Sequence, residues 1–183
     1  TPQIVHNTGM EEKTAPRHPP ELLELVASLP ALPGVRLARG VCRALRALDF
    51  VTVEEMVPTP GLRVDVMALG PNGELWVIEC KSGRADYLAD RKWQGYLEWC
   101  DRFFWAVDAD FPTDLLPEHT GLILADAYDA ELVRMAPEHP LAPARRKVMV
   151  QKFARHAALR LQALRDPGAQ AVAGGTAHQL QWS

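Results

Sequence analysis

Residues 75–83 read LWVIECKSG, a run of large apolar residues that ends in an acid and a base. The apolar run predicts a buried strand over residues 75–81. Because side chains alternate between the two faces of a strand, Glu79 and Lys81 share one face and Cys80 points to the other. Two interpretations fit this strand end: a structural ion pair, or the working end of a metal-dependent site.

A second carboxylate falls opposite this strand end. Residues 62–69 (LRVDVMAL) predict another strand, and the intervening GPNG predicts the turn of a hairpin. Paired residues in a hairpin keep a constant sum of residue numbers, here about 144 to 145 for a turn centred near Asn72 and Gly73. Asp65 then lies opposite residue 79 or 80. We therefore expect Asp65 and Glu79 to lie close enough to share a cation.

The pairing of these two acids points to metal chemistry. Neighbouring carboxylates repel each other unless a positive charge lies nearby. Mg²⁺, or Mn²⁺ in its place, takes oxygen ligands and keeps several waters. A metal polarises a phosphoryl oxygen, and Lys81 could orient the attacking water or stabilise the developing charge. Glu-x-Lys alone is common on exposed strand faces, but Asp65 lies mid-strand among apolar residues, where an unpaired acid is costly. The three residues form the pattern expected of a metal-dependent phosphodiesterase.

The remaining patterns predict the elements that surround the hairpin. Their order is helix 35–48, strand 50–57, the hairpin strands, helix 84–100, strand 102–108, strands 121–127 and 131–136, and helix 144–165. Pro58, Pro60 and Gly61 predict a turn after the first strand. Three strands together, followed by alternation with helices, favour an α/β (α+β) fold in which helices pack on the faces of one mixed β-sheet.

Three further residues are candidates for supporting roles at the site. Glu55, near the end of the first predicted strand, could be a third acid or an ordinary surface glutamate. Asp90 falls on the sheet-facing side of the predicted helix 84–100 and is harder to explain as a surface residue. Arg39, on the first predicted helix, could meet a phosphate, although a structural salt bridge explains it as well.

The bulk composition excludes several classes of protein. The 183 residues suit one domain with tails, and 48% hydrophobic residues can fill a core. The formal charge of −3 gives no global sign of nucleic-acid binding. We expect no membrane span and no secretory signal, since no apolar run is long enough. Three cysteines without a CxxC pair argue against a disulfide scaffold or a zinc ribbon and fit a reducing cytoplasm.

The two ends of the chain differ in composition from the middle. Polar, proline-rich residues 1–20 predict a disordered or loosely docked arm, and Gly/Ala/Gln-rich residues 167–183 predict a flexible tail. Residues 21–166 form the predicted domain.

The last predicted helix is a candidate surface for DNA. Its apolar residues form one stripe that predicts packing on the sheet, while Lys147, Lys152 and Arg155 fall mostly off that stripe. Seven basic residues and one acid occur between positions 141 and 166. A solvated basic face explains this pattern, and so does a surface that binds phosphates. No recognition helix or zinc finger is evident, so we do not expect base-specific contacts.

Several blocks of the sequence resemble the MmcB-like DNA repair proteins, over roughly residues 35–165. These blocks are RVDVMAL (63–69), GELWVIECKSGRADYLADRKWQGYLEWCDRFFWAV (73–107), GLILADAYDAELVR (121–134) and PLAPARRK (140–147). That family looks like part of the restriction-endonuclease-like PD-(D/E)XK superfamily, whose αβββαβ core matches the predicted order of elements. The resemblance therefore implies that fold, with helices flanking a mixed sheet.

The resemblance also implies roles for single residues. The superfamily motif is an Asp on the second core strand and Glu-x-Lys on the third, which correspond here to Asp65, Glu79 and Lys81. It implies Mg²⁺ or Mn²⁺ held by Asp65, Glu79 and the backbone carbonyl of Cys80, and hydrolysis of DNA. Val64 stands where the superfamily name has proline, a frequent substitution.

Two classes of function stay open after this comparison. Many relatives in the superfamily keep the acids yet act as binding or assembly modules. The chain is thus expected to be either a DNA nuclease in repair or a non-catalytic module that binds DNA or other repair proteins. Either role implies the cytoplasm, in association with the nucleoid. The sequence does not predict an oligomeric state.

Overall fold

The computed structural model describes residues 32–90 and 92–167. Its α-helices are α1 (Pro33–Ala47), α2 (Arg84–Ala89) and α3 (Pro143–Arg165). Its strands are β1 (Val51–Thr59), β2 (Leu62–Leu69), β3 (Leu75–Lys81), β4 (Arg102–Val107), β5 (Gly121–Ala125) and β6 (Ala130–Arg134). A 3₁₀ helix spans Trp93–Trp99, and a short 3₁₀ turn spans Thr113–Leu115. No helix in this part of the chain is long and apolar enough to cross a membrane.

The boundaries predicted for the two ends are not covered by these residues. The predicted arm (1–20), the first part of the predicted domain (21–31) and all but the first residue of the predicted tail (167–183) lie outside the described residues.

The six strands form one mixed sheet, and their order in the sheet follows the chain. β1, β2 and β3 form an antiparallel meander. β4 and β5 run parallel to β3, and β6 returns antiparallel as a hairpin with β5. The mixed sheet with flanking helices confirms the predicted fold class.

Helices cover both faces of the sheet, each over its own apolar core. α1 packs on one face, against side chains that include Ile78 and Phe104. α3 and the 3₁₀ helix pack on the other face, which we call the α3 face, against side chains that include Val77 and Trp105. β3 is buried along its whole length. The alternation of side chains therefore puts Glu79 and Lys81 on the α3 face, at the end of a buried strand.

The β1–β2 hairpin bends at Glu55 and Asp65. Glu55 has a φ of 59°, a left-handed conformation that is uncommon for a residue other than glycine. Paired residues on either side keep their register, but Glu55 and Asp65 themselves do not pair. Buried side chains on the α3 face come from positions three apart on each strand, Val53 and Met56 on β1 and Val64 and Met67 on β2. Both strands thus switch faces at this point without a change of register, and the register shifts only farther out, between Met56 and Thr59.

The bend turns the outer half of the hairpin toward the elements of the α3 face. Two hydrogen bonds to backbone carbonyls hold it there, from Tyr96 Oη to Arg63 (3.1 Å) and from Lys152 Nζ to Pro58 (2.5 Å). A third, from His156 Nε2 to the Glu54 carbonyl (3.0 Å), holds β1 just before the bend. The predicted turn is confirmed at Pro60 and Gly61, but Pro58 is not part of it, because β1 continues through Pro58 to Thr59. β1 lies at the edge of the sheet, where a residue without an N–H group is tolerated.

The prediction of one helix over residues 84–100 was also wrong. α2 ends at Ala89, Asp90 is extended with a ψ of 101°, and the 3₁₀ helix begins at Trp93. The Asp90 carboxylate accepts a hydrogen bond from the Lys92 N–H (2.9 Å), a local bond that competes with helix continuation. The break turns Asp90 toward the end of β3.

Asp101, at the start of β4, is the main polar anchor of the core. Its carboxylate accepts hydrogen bonds from the N–H groups of Leu75 and Leu141 (both 2.8 Å) and from two guanidinium nitrogens of Arg146 (2.7 and 2.6 Å). Burial alone would raise the pKa of Asp101, but these hydrogen bonds outweigh it and lower the pKa below its ordinary value. One carboxylate thus joins β3, β4 and the start of α3.

We expect Asp101→Asn to lower the free energy of unfolding by about 3 kcal/mol, because it removes a charged acceptor and leaves Arg146 without its partner. Urea denaturation at pH 7 measures this difference. Glu138→Gln is the control, since it breaks the exposed Arg102–Glu138 pair, which is worth less than about 1 kcal/mol. Equal losses in the two variants would contradict the anchoring role of Asp101.

Candidate active site

The two predicted acids lie directly opposite each other. β2 and β3 pair up to Val66 and Ile78, and the next position of that register sets Asp65 against Glu79. Each carboxylate accepts a backbone hydrogen bond from the neighbouring strand. Glu79 Oε1 accepts from the Asp65 N–H (3.1 Å), and Asp65 Oδ2 accepts from the Cys80 N–H (2.8 Å). The predicted register is confirmed.

This exchange replaces the regular strand pairing at the end of the hairpin. The pairing of β2 with β3 stops at Val66 and Ile78, one position before the acids, and β1 does not pair with Asp65. Backbone N–H groups that lose a strand partner need another acceptor. The two carboxylates meet that need, and the same separation of the strands opens a cleft above them.

The backbone of Cys80 faces the same gap. In a strand, the N–H and C=O groups of one residue point to the same edge. The Cys80 N–H points to Asp65, so its carbonyl is directed to the same side. Its side chain lies on the opposite face, in the core beneath α1. The oxygen donors at this position are therefore two carboxylates and one carbonyl. Among residues 32–90 and 92–167, no three His, Cys, Asp or Glu side chains come together as a metal-binding group.

Burial changes the acid–base properties of the pair. Glu79 is 3% exposed, and burial followed by the charge of Asp65 raises its pKa to about 8. Burial also raises the pKa of Asp65, although the Cys80 N–H and the charge of Lys81 act in the other direction. The site therefore favours a proton on Glu79 near neutral pH unless a cation compensates its charge.

Lys81 lies beside the acids but bonds more closely to a third one. Its Nζ is 2.7 Å from Asp90 Oδ2 and 3.8 Å from Glu79 Oε2, and it lies 5.7 Å from the centre of the Trp105 ring. Burial would lower the pKa of Lys81, but the hydrogen bond with Asp90 and the charge of Glu79 outweigh it and raise the pKa. Lys81 is thus a charged ammonium group on the floor of the cleft.

The cleft is open to solvent and has a volume of about 630 Å³. Its walls come from the start of α1, the bend of the hairpin and the region between α2 and the 3₁₀ helix. Among the residues that line it are Leu32, Val35, Glu54, Arg63, Asp65, Glu79, Lys81, Asp90, Lys92 and Tyr96. Sequence reasoning missed Arg63 and Tyr96. Tyr96 also belongs to the core of the α3 face, and its position in the wall depends on the hydrogen bond of its hydroxyl to the Arg63 carbonyl, which no local pattern encodes.

The structure brings two of the three supporting candidates to the cleft. Asp90 contacts Lys81, and Glu55 lines the rim next to Asp65. The Glu55 carboxylate pairs with Arg63 (2.8 Å). Arg39 does not line this cleft. Its Nε donates to the Ala127 carbonyl (3.0 Å), in the loop after β5.

The basic residues predicted to contact DNA lie on α3 in different environments. Lys147 and Arg155 are exposed. Lys152 is half-buried, since its ammonium group bonds to the Pro58 carbonyl and lies 5.9 Å from the centre of the Trp99 ring. Lys147 and Arg155 are thus free to meet a ligand, whereas Lys152 also braces the hairpin.

The raised pKa of Glu79 predicts a pH-dependent stability difference. An acid whose pKa is higher in the folded than in the unfolded state costs stability as pH rises between the two values. With divalent cations chelated, we expect Glu79→Gln to gain stability relative to the unchanged protein from about pH 5 to pH 8, and to gain no more above about pH 9. Thermal or urea unfolding over this pH range measures the difference.

Glu98→Gln, on the exposed surface, gives the background effect of removing one acid. A stability difference for Glu79→Gln that did not change with pH would show that Glu79 ionises normally.

Comparison with known proteins shows which family the chain resembles. The family model of DNA repair protein MmcB-like matches residues 32–168, which include all the residues of the cleft named above. A solved structure, described as SPO1766 protein of unknown function from Silicibacter pomeroyi, is 69% identical with a TM-score of 0.75, and the match covers 82% of this chain and 99% of that chain. No curated protein matches the chain. The chain belongs to the MmcB-like family of DNA repair proteins.

Proposed function

We propose that the protein hydrolyses DNA phosphodiesters with the help of a divalent cation, on a restriction-endonuclease-like PD-(D/E)XK scaffold, during DNA repair. The observation that carries this proposal is the direct opposition of Asp65 and Glu79 on the floor of an open cleft, with Lys81 on the same face. Membership of a DNA repair family supports DNA as the ligand.

The charges at the floor of the cleft suit a divalent cation. Asp65, Glu79 and Asp90 line the cleft together with Lys81, whose ammonium group lies 2.7 Å from Asp90 and 3.8 Å from Glu79. Burial, followed by the charge of Asp65, raises the pKa of Glu79, and the charge of Lys81 only partly offsets this. Hard oxygen donors from two carboxylates and a carbonyl suit Mg²⁺ or Mn²⁺, which keep waters in their remaining positions. Asp65, Glu79 and the Cys80 carbonyl would hold the ion.

The chain's own groups supply the rest of the chemistry. A bound Mg²⁺ or Mn²⁺ polarises a phosphoryl oxygen and lowers the pKa of a water. Lys81 presents a positive charge to a phosphate that enters the cleft, where it stabilises the charge that develops during attack. Arg63 and Lys92, at the walls, offer further positive charge to the DNA backbone.

The exposed basic residues of α3 extend the positively charged surface beside the cleft. Residues 143–165 contain seven basic residues and no acid. The outer half of α3 crosses the bent hairpin, as the contact between His156 and Glu54 indicates. Glu54 lines the cleft, and DNA that extends from the cleft across the hairpin would approach the half of α3 that carries Arg155. We expect these contacts to bind phosphates without reading sequence.

One observation favours a second function, that of a non-catalytic DNA- or partner-binding module. Each acid already accepts a backbone hydrogen bond, and Lys81 already has an ion-pair partner. Such a cluster stabilises the end of the hairpin without any metal. Binding to DNA would then depend on α3 and the walls of the cleft alone.

Cleavage assays separate the two functions. We expect single-stranded, duplex or branched DNA to be cut with Mg²⁺ or Mn²⁺, and we expect Asp65→Asn and Lys81→Met each to lower the rate by at least about 100-fold, since each removes a group that meets the reacting phosphate. Asp114→Asn, an exposed acid outside the cleft, is the control. DNA binding without cleavage, equal in all variants, would overturn the nuclease and support the binding module.

The basic surface makes a separate prediction. Lys147→Ala with Arg155→Ala should weaken DNA binding and reduce the slope of log affinity against log salt by about two, since each side chain neutralises one phosphate. Fluorescence anisotropy at several salt concentrations measures this slope. Arg43→Ala with Arg46→Ala, on α1 and the opposite face of the sheet, removes the same charge as a control. Equal slopes for the two double variants would exclude α3 as the DNA surface.

A further inference from the structure

We propose that Asp90 is a positioning residue that draws the Lys81 ammonium group away from the acid pair, so that Glu79 stays available to a cation. The geometry of the ion pair stands by itself, whereas its effect on metal binding rests on the proposed function. The break between α2 and the 3₁₀ helix thereby becomes part of the site.

The distances around Lys81 carry this proposal. Its ammonium group has two acids within reach and lies 2.7 Å from Asp90 but 3.8 Å from Glu79. The side chains of Lys81, Glu79 and Asp90 are only 8%, 4% and 10% exposed, so water screens their interactions weakly. In this arrangement Asp90 is the partner that holds the ammonium group.

Asp90 is itself fixed by the backbone around it. Its N–H donates to the Tyr87 carbonyl (3.1 Å), which ends α2. Its Oδ1 accepts from the Lys92 N–H (2.9 Å), so Oδ2 is left for Lys81. Both carboxylate oxygens are thus engaged, and the side chain cannot turn away without losing a bond. A continuous helix would not supply the Lys92 N–H in this position.

Glu79 is the alternative partner of Lys81 if Asp90 does not hold the ammonium group. Without the Asp90 charge, the nearest acid is Glu79, and a move of about 1 Å would bring the ammonium group into direct contact with it. A lysine bonded to Glu79 would compete with a cation for the same carboxylate. The Trp105 ring lies 5.7 Å from the ammonium group of Lys81 and limits the directions in which that group can move.

Manganese binding tests the proposal without requiring cleavage. We expect Asp90→Asn to lower the affinity for Mn²⁺ about tenfold, the effect typical of residues that orient the groups around a metal. Asp86→Asn removes an acid from the same wall, one that bonds to the Ser82 N–H, and should cost less than about threefold. In a Lys81→Met background, Asp90→Asn should also cost less than about threefold, because Asp90 then has no lysine to hold. Equal losses in both backgrounds would overturn the proposal.

A spectroscopic measurement keeps the test independent of metal binding. The ammonium signal of Lys81, assigned by its loss in Lys81→Arg, should shift and exchange faster in Asp90→Asn and remain in place in Asp86→Asn. If the protein bound no Mn²⁺ but this signal responded as expected, the proposed nuclease would fail while the ion pair stood. An unchanged Lys81 signal in folded Asp90→Asn would overturn the positioning role.

Discussion

Two hydrogen bonds between carboxylates and backbone N–H groups determine where β2 and β3 part. Asp65 and Glu79 each accept a bond from the opposite strand, in place of the carbonyl that would continue the ladder. The strands can therefore separate without leaving buried N–H groups unpaired. The same acids that stabilise the end of the hairpin also become the floor of the cleft, so structure and candidate chemistry share one set of atoms.

The bend at Glu55 extends this arrangement to the rest of the domain. Once β1 stops pairing with Asp65, the outer hairpin turns toward the α3 face, and contacts from Tyr96 and Lys152 hold it there, while His156 holds β1 just before the bend. A residue other than glycine in the left-handed region is a small local cost that the surrounding contacts must compensate. Asp101 fixes α3 at its other end, so the helix that braces the hairpin is anchored to the central strands.

The sequence predicts the centre of the site better than its walls. Hairpin counting needs only the turn and the strand period, and it placed Asp65 opposite residue 79 or 80, of which the structure has Glu79. The break after Ala89 escaped prediction because Asp90 bonds both to Lys92 nearby and to Lys81 on another element. The positive φ of Glu55 could not be predicted, because glutamate is not a residue type that favours the left-handed conformation. Arg39 bonds to the distant Ala127 carbonyl, a tertiary contact that helical periodicity does not encode.

The proposed nuclease requires that Asp65 and Glu79 hold one divalent cation between them. A crystal structure of the protein grown with Mn²⁺ tests it most directly, since anomalous scattering locates the ion. We expect one strong peak about 2.0–2.6 Å from oxygens of both carboxylates and of the Cys80 carbonyl. Shared binding of one ion by Asp65 and Glu79 would be contradicted by a peak away from these carboxylates. It would also be contradicted by a Lys81 ammonium group bonded to Glu79 with no ion present at saturating Mn²⁺.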